Sequence, residues 1–204
     1  MRLFPLIALV LGCGGPVAPP SSPVVDPPPP VEAEVVTELT PPASSPGHAI
    51  AHLEHAEVSI DEAGHAWQGP SPQFVGLGWI PFSEPVDDVV FVNYFSYPLN
   101  APGARLGKMF CGRTRTARLE CVIDFDPSAK EPRRVHRFQL PAEGVRQFGV
   151  YTPWMPQGAP DKAVCAITTA PSCWSFDWAG TRAQHYKLEP STAESAALRI
   201  EAGF

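Results

Sequence analysis

Four of the six histidines, His48, His52, His55 and His65, fall within 18 residues of one another, dense enough to hold a transition metal. If Pro46 to Glu54 is helical and the helix runs on, His48, His52 and His55 stand at i, i+4 and i+7 on one face, with Glu54 and Glu57 nearby. Neutral imidazoles grouped in this way bind Zn²⁺ or Cu²⁺. No fixed spacing such as H-E-x-x-H accompanies them, and a solvated polar start to the folded part is the competing reading. Other catalytic signatures are sparse. There is no G-x-S-x-G elbow, no phosphate-cradling glycine loop and no paired C-x-x-C motif. Asp124 and Asp126 share one side of a strand end but lack the remaining ligands of a calcium loop. His136, His185 and Ser175 join into a triad only on paper, because triads are defined by geometry. No catalytic residue is assigned, and no cofactor is expected.

Two further groups of side chains could recognise a ligand. Trp174, Phe176 and Trp178 recur with a period of two, so on a strand they share a face, and exposed rings of this kind stack on sugars. Trp67, Trp79, Tyr151 and Trp154 add further large rings. A sheet protein of this size also needs an aromatic core, and that is the favoured reading. Basic residues are concentrated at 105–137, which hold nine of the fifteen Lys and Arg against four acids. Arg113, Arg115 and Arg118 would meet at a hairpin tip, where they could face an anionic glycan, anionic lipid or an acidic partner. The plainer role of such charges is to keep an edge hairpin soluble.

The elements that must position these groups read as strands. Glu57–Asp61 and His65–Gln68 flank a Gly-assisted turn, and Val86–Tyr97 is dense in β-branched and aromatic residues. Lys108–Gly112 and Ala117–Phe125 predict another hairpin. Shorter runs follow at Val135–Leu140, Val145–Tyr151, Ala163–Thr168, Trp174–Trp178, His185–Leu188 and Ala197–Ile200, separated by Pro and Gly. Short strands punctuated in this way predict a mainly β, antiparallel sandwich or barrel-like domain. Little helix is expected: Pro46 to Glu54, and Thr192 to Ala197 behind Ser191 as a cap. Ahead of the domain, Gly14 to Gly47 holds eleven prolines in 34 residues, including Pro27 to Pro30. Such a stretch buries too little to offset the entropy of ordering, and predicts a disordered, extended spacer. At about 3.1 Å per residue it reaches on the order of 100 Å. No internal repeat is evident.

The first residues bear on address. Arg2 is followed by the short apolar run Leu3 to Leu11, too brief to cross a bilayer, and by Gly12-Cys13. The segment Val10-Leu11-Gly12-Cys13 resembles the lipobox of bacterial lipoproteins. That resemblance implies cleavage after residue 12, a lipid on Cys13 and attachment to a membrane of the cell envelope. Gly14, in place of the Asp that marks inner-membrane retention in such proteins, favours the outer membrane, at its periplasmic or surface face. With Cys13 lipidated, Cys111, Cys121, Cys165 and Cys173 remain, an even number in a compartment that permits disulfides. Pairing of nearest neighbours is expected because each pair flanks a short, turn-like stretch. A four-cysteine zinc site is disfavoured by the wide spacing within each pair.

The resulting organisation is a signal peptide at 1–12, Cys13 with a proline-rich linker to residue 47, and one domain over 48–204. A net charge of −6 argues against nucleic-acid binding, which depends on neutralising phosphates. The expected role is binding or scaffolding in the envelope, with an envelope protein, an anionic glycan or peptidoglycan as partner. An envelope enzyme with an unrecognised site is an alternative. The proline-rich spacer ahead of a strand is also similar in layout to TonB-type energy transducers, although those use a membrane-spanning anchor.

Overall fold

The computed structural model describes residues 28–44, 49–53, 56–69, 78–97, 105–125, 133–151, 163–177 and 179–186. Within them every regular element is a strand, and all pairings are antiparallel. Two four-stranded meanders follow one another along the chain. The first comprises β7 (Val86–Tyr97), β8 (Arg105–Thr114), β9 (Arg118–Phe125) and β10 (Arg134–Glu143). The second comprises β11 (Gln147–Tyr151), β12 (Ala163–Ile167), β13 (Pro171–Phe176) and β14 (Arg182–Tyr186). They stack face to face as a sandwich.

Alternation of side chains makes the stacking possible. Met109, Cys111, Leu119, Cys121, Ile123, Phe125 and Phe138 point from the first meander into a core they share with Phe148, Val164, Ala166, Trp174 and Phe176 from the second. The expected aromatic period of two is therefore a core device: Trp174 and Phe176 are both 2 % exposed. Pro141 lies in β10 where the ladder skips between Leu140 and Glu143, a bulge that tolerates a residue lacking an N–H donor.

A third, small sheet lies on the other face of the first meander, which is thus the middle layer. Its strands are β3 (Ala49–Leu53), β4 (Ala56–Ile60), β5 (Ala66–Gln68) and β6 (Trp79–Ile80). A separate apolar cluster joins it to the middle sheet: Val58, Ala66 and Ile80 against Val86, Val89 and Phe110. A bulge between Val86 and Asp88 shifts the alternation of β7, so that Val86 and Val89 reach the same cluster.

Two sequence expectations are corrected. Residues 49–53 form a strand paired with β4, not a helix, because the backbone finds its partners in the neighbouring hairpin; the helical face of histidines is therefore not built. Within the segment read as disordered spacer, β1 (Val31–Glu32) and β2 (Glu34–Val36) are strands, pairing with β14 and β10 respectively. Alternation of Val and Ala with Glu over 31–36 suits a half-buried edge strand, and that local pattern overrides the proline-rich average. The expected helix at 192–197 and strand at 197–200 lie outside the described residues.

Candidate functional site

Three hairpin loops share one design. Asp61, Thr114 and Asp177 each accept through a side-chain oxygen from the backbone N–H four residues on, those of His65, Arg118 and Thr181. Each also accepts through its carbonyl from the N–H of the third residue on: Gly64, Ala117 and Gly180. Those third residues all have positive φ (91°, 58° and 61°), the left-handed conformation that turns the chain back toward the second strand. Glycine adopts it freely. Ala117 does so at a steric cost.

The Thr114 hairpin ties several loops together at one end of the sandwich. The Arg115 N–H donates to Pro85 O, and its guanidinium donates to Glu62 O. Arg113 donates to Asp87 Oδ1 at 2.7 Å and to Arg146 O. Thr116 Oγ1 donates to Glu84 Oε2 at 2.8 Å, and the Val145 N–H donates to Ala117 O. Arg118 lies 4.0 Å from Glu143. The three arginines therefore do not form one free cationic patch. Each is turned toward a different neighbour within the protein.

Two shallow clefts of about 200 Å³ flank Glu84 at this end. One is lined by Glu84, Thr114, Arg118, Glu120, Gln139 and Glu143. The other is lined by Thr40, His65, Trp79, Phe82, Glu84 and Pro85. Three carboxylates line the first cleft together with the anticipated Arg118, and the second carries the rings of His65, Trp79 and Phe82 with the single carboxylate of Glu84. His65 closes the second cleft in a fixed orientation. Its Nδ1 lies 3.1 Å from Asp61 Oδ2 and 3.0 Å from Ser44 Oγ, and Trp67 Nε1 donates to the same carboxylate. Burial alone would raise the Asp61 carboxyl, but hydrogen bonds from Ser44, the His65 backbone, Trp67 and the His65 ring hold it far below the usual carboxylate range. Ser44 and Asp61 meet the same ring nitrogen, whereas a nucleophile–base–acid relay needs opposite nitrogens. The cluster is a carboxylate-centred staple of the β4–β5 loop.

Glu120, in the lining of the first cleft, belongs to a charged layer on the face of the middle sheet that the small sheet covers. Glu120 accepts from the Ser83 N–H at 2.8 Å and from its hydroxyl at 2.7 Å. Arg137 donates to Pro81 O, and Arg133 donates to Trp79 O and bidentately to Asp124. Beyond the pairing of Trp79 and Ile80 with β5, the extended segment 79–83 thus has alternate backbone groups held by side chains of the middle sheet. Desolvation raises the Glu120 carboxyl, against the opposing pull of the Ser83 bonds and Arg137. One sequence signal for this layer existed: Glu120 and Asp124 alternate with apolar residues on β9 and so share a face with each other, opposite the core.

Other anticipated residues are dispersed. Trp174 lies inside the sandwich and offers no sugar platform; Trp178 lies outside the described residues. His52 is on β3, His65 is held by Asp61, and His48 and His55 lie outside the described residues. Among the described residues, no three of His, Cys, Asp or Glu converge on a metal position. His185 lies directly opposite Trp174, so Ser175, the next residue on β13, faces the other side of the sheet. His136 is buried elsewhere, with Nδ1 donating to Gly180 O and its ring against Phe125. Those three do not assemble.

The cysteines pair as expected. Cys111–Cys121 joins β8 to β9, and Cys165–Cys173 joins β12 to β13, each between residues directly opposite one another with Cα atoms 4.0 Å apart. Each meander thus carries one bridge across its two middle strands. No family model matches the chain, and neither a curated protein nor a solved structure matches it.

Proposed function

We propose that this protein is a lipid-anchored component of a bacterial envelope, held to the outer membrane through Cys13, whose folded head is a binding or scaffolding module. The observation that carries the reading is the cysteine arithmetic: two bridges consume every cysteine except Cys13, the one in the lipobox-like segment. Bridges of this kind form and persist in oxidising compartments. Binding is favoured over catalysis by the cross-linked loop end, where two clefts are backed by strands and the Ser44–His65–Asp61 grouping lacks relay geometry. The carboxylates of the first cleft suit a partner that brings donors, such as ammonium or guanidinium groups on another envelope protein. Anionic glycan is the less suited partner, because Arg113 and Arg115 already serve internal contacts.

Intact-mass measurement of protein extracted from membranes tests the anchor. The expected mass lacks residues 1–12 and includes acyl chains; a retained leader with no acyl group would overturn the reading. Cross-linking in the envelope followed by pull-down, with Glu84→Lys as a comparison, tests the head. Partners lost in that variant support the clefts, and an unchanged partner set, or peptidoglycan retained by both forms, counts against them.

A further inference from the structure

The strap formed by β1 and β2 is one extended segment that changes sheets at its midpoint. Val31 and Glu32 pair with Ala183 and Arg182 of β14; Glu34, Val35 and Val36 pair with Arg137, His136 and Val135 of β10. At the crossover the Ala33 N–H donates to Thr181 O at 2.9 Å. The two acids reach opposite ways: Glu32 lies 2.8 Å from Arg182, and Glu34 lies 3.5 Å from Arg137. Val31 and Ala33 pack against the main core. Among the described residues, the strap alone pairs with the outer edge of the last strand of each meander, both on the same side of the sandwich.

Little holds this segment compared with what it covers. Its ladders span two and three residues, whereas the neighbouring β9–β10 ladder has eight paired positions. Both members of the Glu32–Arg182 pair are more than half exposed, and such pairs contribute little. Segments of this kind open locally at a free energy well below that of global unfolding. The seven residues 37–43 that follow carry no strand and span about 24 Å when extended, long enough to let the strap leave its own edges.

We infer that the paired edges of β10 and β14 form a strand-acceptor groove that exchanges its occupant, accepting residues 31–36 of a second copy of this chain in place of its own. The groove offers Arg182 and Arg137 on either side of a close approach at Thr181, and the matching Glu-Ala-Glu is carried by every copy. Reciprocal exchange closes as a two-fold dimer, the least costly route from a monomer with a terminal strand to an assembly. The inference is independent of the lipid, since the groove and its occupant lie within the folded head.

Disulfide trapping tests it on the complete sequence, with Cys13→Ser in every chain so that no native thiol is free. Chains with Glu32→Cys alone and Arg182→Cys alone are mixed, oxidised and resolved without reductant. The expected result is a covalent species of doubled mass, lost when Arg182→Cys is replaced by Gln184→Cys, two residues further along the same exposed face. A chain carrying both Glu32→Cys and Arg182→Cys should bridge, within itself in the closed form and across copies in the exchanged form. Bridging confined to that double variant, with only monomers from the mixture, would overturn the exchange. Equal dimer from the Gln184→Cys mixture would also overturn it, as would failure of the double variant to bridge.

Discussion

Arg137 Nε lies 3.1 Å from Glu120 Oε1, with the two side chains 13 % and 3 % exposed, so the pair is an ion pair almost sealed from water. Its geometry falls outside that of a hydrogen bond, and the carboxylate instead spends its acceptor capacity on Ser83. Removing one member leaves the other charged and desolvated. Glu120→Ala is therefore expected to lower stability by about 3–5 kcal/mol. Ser83→Ala, which loses one hydroxyl donor to a charged acceptor, should cost about 1.5–3 kcal/mol. Urea unfolding at pH 7 checks both, with the ordering of the two midpoints as the discriminating result.

His136 makes the fold acid-sensitive. Burial holds its ring below the ordinary histidine value, despite the bond to Gly180 O that pulls the other way. The unfolded chain therefore takes up the proton first, near pH 6.5. This contribution is whole above that pH and is lost as pH falls through the lower folded value. Asp61, also held low, adds the same sign of dependence, but only below about pH 4. His136→Asn should flatten the decline in unfolding free energy between pH 7 and 5, and Asp61→Asn should flatten it only in the more acid range. Parallel urea titrations across pH measure both slopes.

Ala117 occupies a left-handed position that glycine fills in the two sister loops. Ala117→Gly is expected to raise stability by about 0.5–1 kcal/mol, since relief of the Cβ clash exceeds the added freedom of the unfolded chain. Gly64→Ala should act in the opposite direction and more strongly: its φ is 91°, and an added Cβ would lie 2.7 Å from Pro85 Cβ. Thermal unfolding of the two variants tests the pair of signs.

The two bridges differ in setting although their loops are similar in length. Cys165 and Cys173 pack with Tyr151 on the outer face of the second meander, whereas Cys111 and Cys121 lie within the main core. Loop-closure entropy assigns each about 3 kcal/mol. Replacing Cys111 and Cys121 together by Ala should cost more than replacing Cys165 and Cys173, because the missing sulfurs leave a void between packed sheets. Comparing the midpoints of the two double variants in denaturant decides it.

Much of the sandwich was legible because its strands alternate. Phe138, Leu140, Val164 and Trp174 announce an inward face, and Gly and Pro mark the turns between them. The disulfides were legible as well, since each cysteine pair brackets its own hairpin. Composition misled where it was averaged. Across residues 14–47 the prolines mask the Val-Glu-Ala-Glu-Val-Val stretch that closes both sheets, and across 46–54 the histidine spacing suited a helix while the pairing of 49–53 with β4 required a strand. The loop-end clefts were the least legible part. Glu84, Glu120 and Glu143 come from three separate stretches of chain, and the neighbouring arginines looked free only because Asp87, Glu62 O and Arg146 O are remote in sequence. Distances of that kind are set by topology, which local pattern does not carry.

The layer of Arg133, Asp124, Arg137 and Glu120 between the middle and small sheets has a bearing on how the molecule would respond to its surroundings. The apolar part of this seam, Val58, Ala66 and Ile80 against Val86, Val89 and Phe110, tightens in concentrated salting-out electrolyte, whereas the part built on ions and backbone carbonyls is sensitive to hydration and counter-ions. Because the second cleft takes walls from the small sheet (Gly64 to Ala66) and from the clamped stretch around Phe82, any loosening of this seam would widen it. A change in ionic strength would then reach the mouth of that cleft directly, through this layer.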